Sequence, residues 1–326
     1  MKLPHRRHFL HLAAGAAALP TMSRIARAQS YPSRPVRIVV GYPPAGSTDI
    51  TARLIGQWLS ERLGQQFVIE NRVGAGATLA TEAVAKAPPD GHTLLLTGAN
   101  DAWNATLYSN LKYNFIRDLV PVASVSRGVG VLVVNPSFPA KSVPELIAYA
   151  NANPGKITIA SSGVGGAPFM FWALFQSMTG VEMLHVPYRG AGPALTDLIG
   201  GHVQAIFSTL IASIQYIRDD KLRPLAVTGP TRAEVLPNVP TVGEFVPGYE
   251  AINWFGVFAP RGTPLRIVDV LQDQINAGLA DAALKMRFAE LGDTVYPSAP
   301  SDFAKFIADD TEKWAKVIRA ANIKPE

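Results

Sequence analysis

The sequence contains no cysteine, which excludes disulfide staples, thiolate metal sites and cysteine nucleophiles together. Histidine is nearly as scarce. Only His92, His185 and His202 lie beyond the first 28 residues, and none has the His-Glu-x-x-His spacing that turns two imidazoles toward one metal. Long apolar runs are missing too: Phe9 to Leu19 is about half of the roughly 20 residues a membrane-spanning helix needs. No later stretch reaches that length without charges or prolines. The excess of positive charge is nominal, because five of the 30 basic residues (Lys2, Arg6, Arg7, Arg24, Arg27) fall in the first 28, where no acid occurs, leaving 25 basic against 25 acidic. No basic stripe remains to neutralise phosphates, so nucleic acid is not an expected partner. Gly-x-Ser-x-Gly and a Walker lysine are absent, and Gly74-Ala75-Gly76 falls short of Gly-x-Gly-x-x-Gly. No catalytic residue, metal or cofactor is therefore expected.

What is present begins with a secretory layout: a basic stretch (Lys2 to His8), the apolar run, and Ala26-Arg27-Ala28 before Gln29. Cleavage after Ala28 and export from the cytoplasm are predicted. Arg6-Arg7-His8-Phe9-Leu10 also fits a twin-arginine signal, and the two export routes stay open. The chain from residue 29 to 326 is long enough for a large core, and at this size two lobes are the usual outcome.

After residue 31 the chain alternates short apolar strands with amphipathic helices. Val36 to Val40 is apolar on both faces, as a buried parallel strand requires. It runs into Gly41 to Gly46, with Ser47, Thr48 and Asp49 as candidate N-caps. Ile50, Leu54, Ile55, Trp58, Leu59 and Leu63 then form a helical stripe that stops at Gly64. The unit recurs as strand 67–70, loop 71–77, helix 78–86, strand 93–97 and loop 98–101. The character changes over 121–130. A strand at 131–134 precedes Ser142-Val143-Pro144-Glu145, a capping box that opens a helix through Ala150. A second series places strands at 157–160, 183–187, 203–207 and 222–227, with helices ending at Met178 and spanning 193–199. The loop 230–249, a strand at 254–259 and helices near 264–279, 282–291 and 301–321 complete the chain. Such alternation predicts an α/β protein with doubly wound sheets.

Glycine and other small residues concentrate where strands end and helices begin: Gly41 to Asp49, Asn71 to Ala77, Gly98 to Asp101 and Ser161 to Gly166. Open parallel sheets bind ligands there, where helix N-termini leave N–H groups unpaired. Each helix start offers an anion about 0.3–1 kcal/mol, so the expected ligand is anionic. Any one of these loops also fits an ordinary tight turn. Asp49 suits either a ligand contact or a helix cap, Arg189 either a bidentate carboxylate contact or a solvated turn, and Trp254 either a hinge strand or plain core packing.

Seven collinear segments carry a resemblance. They are Tyr31-Pro32-Ser33-Arg34-Pro35, Gly41 to Asp49, Glu70-Asn71-Arg72-Val73-Gly74-Ala75-Gly76, Pro89-Asp90-Gly91-His92-Thr93-Leu94, His185-Val186-Pro187-Tyr188-Arg189-Gly190, Pro193-Ala194-Leu195-Thr196-Asp197-Leu198 and Pro237-Asn238-Val239-Pro240-Thr241. Over essentially the whole chain after the signal, the sequence resembles the tripartite tricarboxylate transporter substrate-binding proteins, the Bordetella uptake gene family. The resemblance implies a periplasmic-binding-protein (Venus flytrap) fold, two doubly wound sheets joined by crossing hinge strands. Residues 29–126 with 253–326 would form the first lobe and 127–252 the second, behind the signal at 1–28. It further implies a monomeric receptor that captures a small di- or tricarboxylate and hands it to membrane transporter subunits. A receptor of the same fold reporting to a sensor kinase remains the alternative. The implied ligand-binding residues are Tyr42, Pro44, Ala45, Gly46, Ser47, Thr48, Asp49, Gly74, Ala75 and Asn100 from the first lobe, with Ser161, Ser162, Gly163, Tyr188, Arg189 and Ser208 from the second.

The chain departs from the family pattern at Gly163-Val164-Gly165-Gly166 and at Phe169-Met170-Phe171-Trp172, where small and polar residues are usual. Ser208 stands where Asp is frequent, and Trp103 adds a ring after the third loop. These changes suggest a less polar cleft suited to an aromatic carboxylate or a longer mono- or dicarboxylate. Helical spacing equally lets Phe169, Phe171 and Trp172 pack a helix onto its sheet.

Overall fold

The computed structural model describes residues 31–324; the expected signal at 1–28 and its cleavage point lie outside the described residues. Strand β1 (Val36–Val40), α1 (Ser47–Leu63), β2 (Phe67–Asn71), α2 (Thr78–Ala85), β3 (Thr93–Gly98), α3 (Ala99–Leu107) and the short α4 (Phe115–Asp118) lead into β4 (Leu119–Val134). There follow α5 (Val143–Ala152), β5 (Thr158–Ser161), α6 (Ala167–Thr179), β6 (Leu184–Pro187), α7 (Ala191–Ile199), β7 (Ala205–Thr209), α8 (Leu210–Arg218) and β8 (Arg223–Val227). The chain closes with β9 (Ile252–Pro260), α9 (Leu265–Ala280), α10 (Ala282–Glu290), β10 (Asp293–Val295) and α11 (Pro300–Ala320). No described helix is long and apolar enough to cross a membrane.

The 16-residue β4 organises the molecule. Its first part pairs antiparallel with β9, which continues through β3 to the parallel strands β1 and β2. From Gly130 onward it pairs instead with β7 and β8, and β7 continues in parallel to β5 and β6. One strand thus belongs to both sheets, and the two lobes hang from it. Each lobe has its own apolar layer, one around Ile38, Ile55 and Leu271 and one around Val131, Leu195 and Ile214. A third cluster spans both and brings Trp103 and Trp314 of the first lobe together with Phe171 and Phe175 of the second.

Several expectations change here. None of Ser47, Thr48 or Asp49 caps α1. Gly46 is the N-cap, without a side-chain bond, and the helix ends as expected at left-handed Gly64. Ser142 does accept the Glu145 N–H, but the Glu145 carboxylate reaches Lys141 N–H rather than closing a reciprocal box. The segment 98–101 is largely helical, as the start of α3. Helix α8 and strand β10 had no counterpart in the sequence pattern.

The aromatic run of α6 packs: Phe169, Phe171 and Trp172 are all buried. Phe171 is fully buried, lies 6.5 Å from the Trp103 ring and fills space that a Cβ on Gly130 would need. Phe169 and Trp172 pack on His185, with Trp172 stacked at 5.0 Å. Trp103 rests on Trp314 at 4.7 Å. The aromatic departures therefore build the apolar joint between the lobes, as helical spacing allowed, and give no support to an aromatic ligand. Trp254 on β9 is also core, its indole N–H donating to buried Asp310 at 3.0 Å.

Candidate functional site

Five helices start at one place. The N-caps of α1, α3, α6, α7 and α8 are Gly46, Gly98, Gly166, Gly190 and Thr209, and none carries a side-chain capping bond. Their first turns supply most of the wall of an inner cavity lined by Tyr42, Gly46, Ser47, Thr48, Asn100, Ser162, Ala167, Pro168, Ala191, Thr209 and Asn253. Lysine, arginine and histidine are missing from that wall, so an anion is met by backbone N–H groups and neutral side chains. Three residues of this wall carry a buried polar atom without a hydrogen-bond partner: Tyr42 Oη, Asn100 Nδ2 and Thr209 Oγ1. A buried polar atom left unpaired costs about 1–3 kcal/mol, a cost that a hydrogen-bonding ligand in this cavity would remove. Burial also raises the Tyr42 phenol above its ordinary range, with the charge of Asp101 adding to the effect; it is a neutral hydroxyl.

An outer cavity of about 490 Å³ opens beside the first and shares Tyr42 and Ser162 with it. Gly74, Ala75, Gly163, Tyr188 and Arg189 line this outer mouth, not the inner chamber. The Tyr188 hydroxyl is committed to Asp197 at 2.7 Å, and burial with that bond pushes it up to about 12. Exposed Arg189 has no ion-pair partner among the described residues and reaches the cleft only at its rim.

The first loop is held from behind. Ala45 takes a left-handed φ of 66°, unusual for a residue with a Cβ, and its N–H donates to Asp49 Oδ2 at 3.1 Å. The same carboxylate receives Arg53 Nε at 2.8 Å and Asn71 Nδ2 at 2.9 Å. Burial works to raise the Asp49 carboxyl, but the bonds from Arg53, Asn71 and Ala45 outweigh it and hold it below its ordinary value. Asp49, Ala45 and Pro44 thus shape the loop and line neither cavity. Ala75 and Ala77 are also left-handed, so strain gathers in both cleft loops of the first lobe, as it does at ligand clamps.

Two serines of the second lobe stand back in the same way. Ser161 is fully buried; its hydroxyl meets His185 Nε2 at 2.7 Å and accepts the Gly163 N–H at 3.1 Å, which orients the loop beneath the cavity. Ser208 is buried and turned onto the Thr209 carbonyl at 3.1 Å. Its neighbour Thr209 faces the chamber instead. Ala167, Pro168, Ala191, Thr209 and Asn253 escaped the sequence reasoning. The glycines before α6 and α7 carry the same signal that located α1, so those two helix starts were within reach. Asn253 lies on hinge strand β9, where no local pattern marks it.

The lobes meet across this cleft. Space for a Cβ on Gly190 is taken by the Pro43 ring at 2.7 Å, and on Gly76 by the Val164 carbonyl at 3.2 Å. Fold and site together define a two-lobed solute-binding protein of the periplasmic-binding-protein type. The model of the tripartite tricarboxylate transporter family receptor matches residues 51–323, and the chain belongs to that family. It is 39% identical over 300 residues to protein BugT of Bordetella pertussis, covering 91% of this chain and 92% of BugT. Among solved structures it is similar to R. palustris Rpa4515 with adipate (TM-score 0.88, 38% identity, 91% and 100% covered). It is also similar to MatC from Rhodopseudomonas palustris with bound malate (TM-score 0.85, 32% identity, 88% and 100% covered). The chain is a binding protein of a receptor family, not an enzyme.

Proposed function

We propose that this receptor is exported by the signal at residues 1–28, cut after Ala28, closes as a monomer on a small aliphatic carboxylate, and delivers it to membrane transporter subunits. The support is the convergence of five uncapped helix N-termini, and of the unpartnered Tyr42, Asn100 and Thr209 atoms, on one chamber without a cationic side chain. At about 0.3–1 kcal/mol each, rising to about 2 when partly buried, five helix starts supply several kcal/mol toward the roughly 8 kcal/mol of micromolar affinity. Similarity to proteins with bound adipate and malate favours an aliphatic di-acid, and the absence of aromatic side chains other than Tyr42 from the chamber wall agrees.

In this reading Tyr42, Gly46, Ser47, Thr48, Asn100 and Ser162 contact the ligand, joined by Thr209 and Asn253. Gly74, Ala75, Gly163, Tyr188 and Arg189 guard the entrance, while Pro44, Ala45, Asp49, Ser161 and Ser208 position the loops. The proposed lobe limits are 29–126 with 253–326 and 127–252; the exchange of strand partners along β4 falls three residues beyond the first limit, between Val129 and Gly130. Calorimetry and thermal-shift titration with adipate, malate, succinate, citrate, benzoate and terephthalate test the ligand class. Binding of adipate or malate is expected; stabilisation by benzoate or terephthalate alone would overturn the aliphatic assignment.

A further inference from the structure

Next to Asn100 on α3 lies a carboxylic acid that the binding scheme leaves unused. Asp101 sits in the first turn of α3, fully buried, one residue after the cavity-lining Asn100. Its Oδ1 accepts hydrogen bonds from Thr81 Oγ1 at 2.8 Å and from the Tyr113 hydroxyl at 3.1 Å, and its Oδ2 accepts from Thr97 Oγ1 at 2.5 Å. Three hydroxyls from α2, β3 and the segment before α4 therefore surround it. The titratable groups nearest this cluster are Tyr113 itself, Tyr42 from the first cleft loop, which feels the Asp101 charge, and Glu82 from α2, which acts on Tyr113. All three are neutral or negative when they ionise, and no cation bonds to Asp101 among the described residues.

An acid in this place meets a conflict. The N-terminus of α3 favours one negative charge, and Asp101 already supplies it. An organic anion arriving at the same N-terminus brings a second, and like charges in a dry interior repel. The three hydroxyls do not fully offset burial, which pushes the Asp101 carboxyl up to about 6, so a proton is available to it close to neutral pH.

We infer that Asp101 makes ligand capture proton-coupled: when a carboxylate settles on the N-termini of α1 and α3, this side chain takes up a proton from solvent, and the receptor closes on anion and proton together. The inference rests on the carboxylate-binding function proposed above. The neutral acid removes the repulsion while its three hydroxyl neighbours, which can turn, keep it bonded. The sign follows. The protonated receptor binds the anion better, so affinity falls as pH rises through the range where free Asp101 ionises, and it levels off only above the higher pKa of the complex. Tenfold in affinity is lost for each pH unit by which the bound anion raises that group.

The test is calorimetry of adipate and malate binding at pH 7 in phosphate and in Tris, buffers of very different ionisation enthalpy, followed by affinity from pH 6 to 8. Proton coupling is expected as a buffer-dependent enthalpy equivalent to about half a proton and as a fall of roughly tenfold in affinity across the range. Asp101→Asn should bind with equal enthalpy in both buffers and with an affinity flat in pH. Tyr113→Phe, which removes one donor to the carboxylate, should move the pH midpoint upward, and it provides an arm that does not depend on how Asp101→Asn folds. Binding that is identical in both buffers and constant from pH 6 to 8 in the unaltered protein would overturn the inference while leaving the carboxylate receptor intact. No binding heat and no thermal shift with any acid of the panel would remove the receptor reading, and this inference with it.

Discussion

Thr209 and Ser208 differ by one position and by everything else. On β7, successive side chains face opposite sides of the sheet, so Ser208 turns inward onto the Thr209 carbonyl while Thr209, whose Oγ1 has no hydrogen-bond partner, lines the chamber. Thr209→Val, nearly equal in shape, should weaken adipate or malate binding by about 1.5–3 kcal/mol, roughly ten- to over a hundredfold, the usual worth of a hydrogen bond to a charged group. It should leave the unliganded melting temperature unchanged or slightly higher, because the hydroxyl is unpaired in the free protein. Ser208→Ala should leave affinity where it was. Equal losses from both variants, measured by calorimetry, would remove Thr209 from the site. The resemblance that nominated Ser208 could locate the strand end but not the face. Tyr42, Ser47, Thr48 and Asn100 were legible because a glycine-rich loop and a helix start are local patterns. Asn253 was not, since a hinge residue becomes a cavity wall only through pairing between distant strands.

At the scale of elements, β1, α1, β2, α2 and β3 follow from periodicity alone, and their boundaries agree with the structure to within a residue or two. Strand β4 did not, because Pro121, Gly128 and Gly130 interrupt its β signal. Each has a tertiary reason. The pairing with β9 shifts register just after Pro121, the kind of irregularity where a strand tolerates proline. A Cβ on Gly128 would strike the Asp293 carboxylate, and one on Gly130 would strike the Phe171 ring. Helix α3 was hidden by its composition, with three Asn or Asp in nine residues, poor helix formers that tertiary packing overrides.

The pairing of β10 with β4 carries its own prediction. Asp293 is buried, its carboxylate accepting one hydrogen bond among the described residues, from the Ser126 hydroxyl at 2.9 Å, and burial raises its carboxyl from 3.8 to about 7 despite that bond. The folded chain therefore keeps this proton up to about pH 7, while the unfolded chain releases it near pH 4. Its stabilising contribution is complete below the unfolded value and is lost as pH rises through about 7. Between pH 5 and 8 the unaltered protein should lose on the order of 2 kcal/mol more than Asp293→Asn, read from denaturant midpoints at each pH. Parallel curves for the two proteins would count against a protonated Asp293.

For the whole molecule, function reduces to whether two lobes on a shared strand can shut. In this structure they touch where Pro43 meets Gly190 and where the Pro44 carbonyl lies 3.9 Å from the position of a Cβ on Gly192. Gly190 has a φ of 114°, so any side chain there would strain its own loop as well as the opposing lobe, and a loss of affinity would not identify closure. Gly192 separates the two effects. It lies within α7 with helical geometry, and a methyl group fits at ordinary contact distance. Replacing glycine inside a helix removes a cost of about 1 kcal/mol, so neither Gly192→Ala nor Gly192→Leu should lower the melting temperature of the free protein. Gly192→Ala should bind as before. Gly192→Leu extends three more carbons toward Pro44 and should hold the lobes apart, and the apparent affinity then falls in proportion to the fraction of molecules still able to close. Small-angle scattering gives the complementary readout: adipate or malate should shrink the radius of gyration of the unaltered protein and of Gly192→Ala, but not of Gly192→Leu at matched concentrations. Tight binding by Gly192→Leu with normal contraction would mean that the first cleft loop and α7 are not the surfaces that meet on capture, and the clamp would have to shut elsewhere.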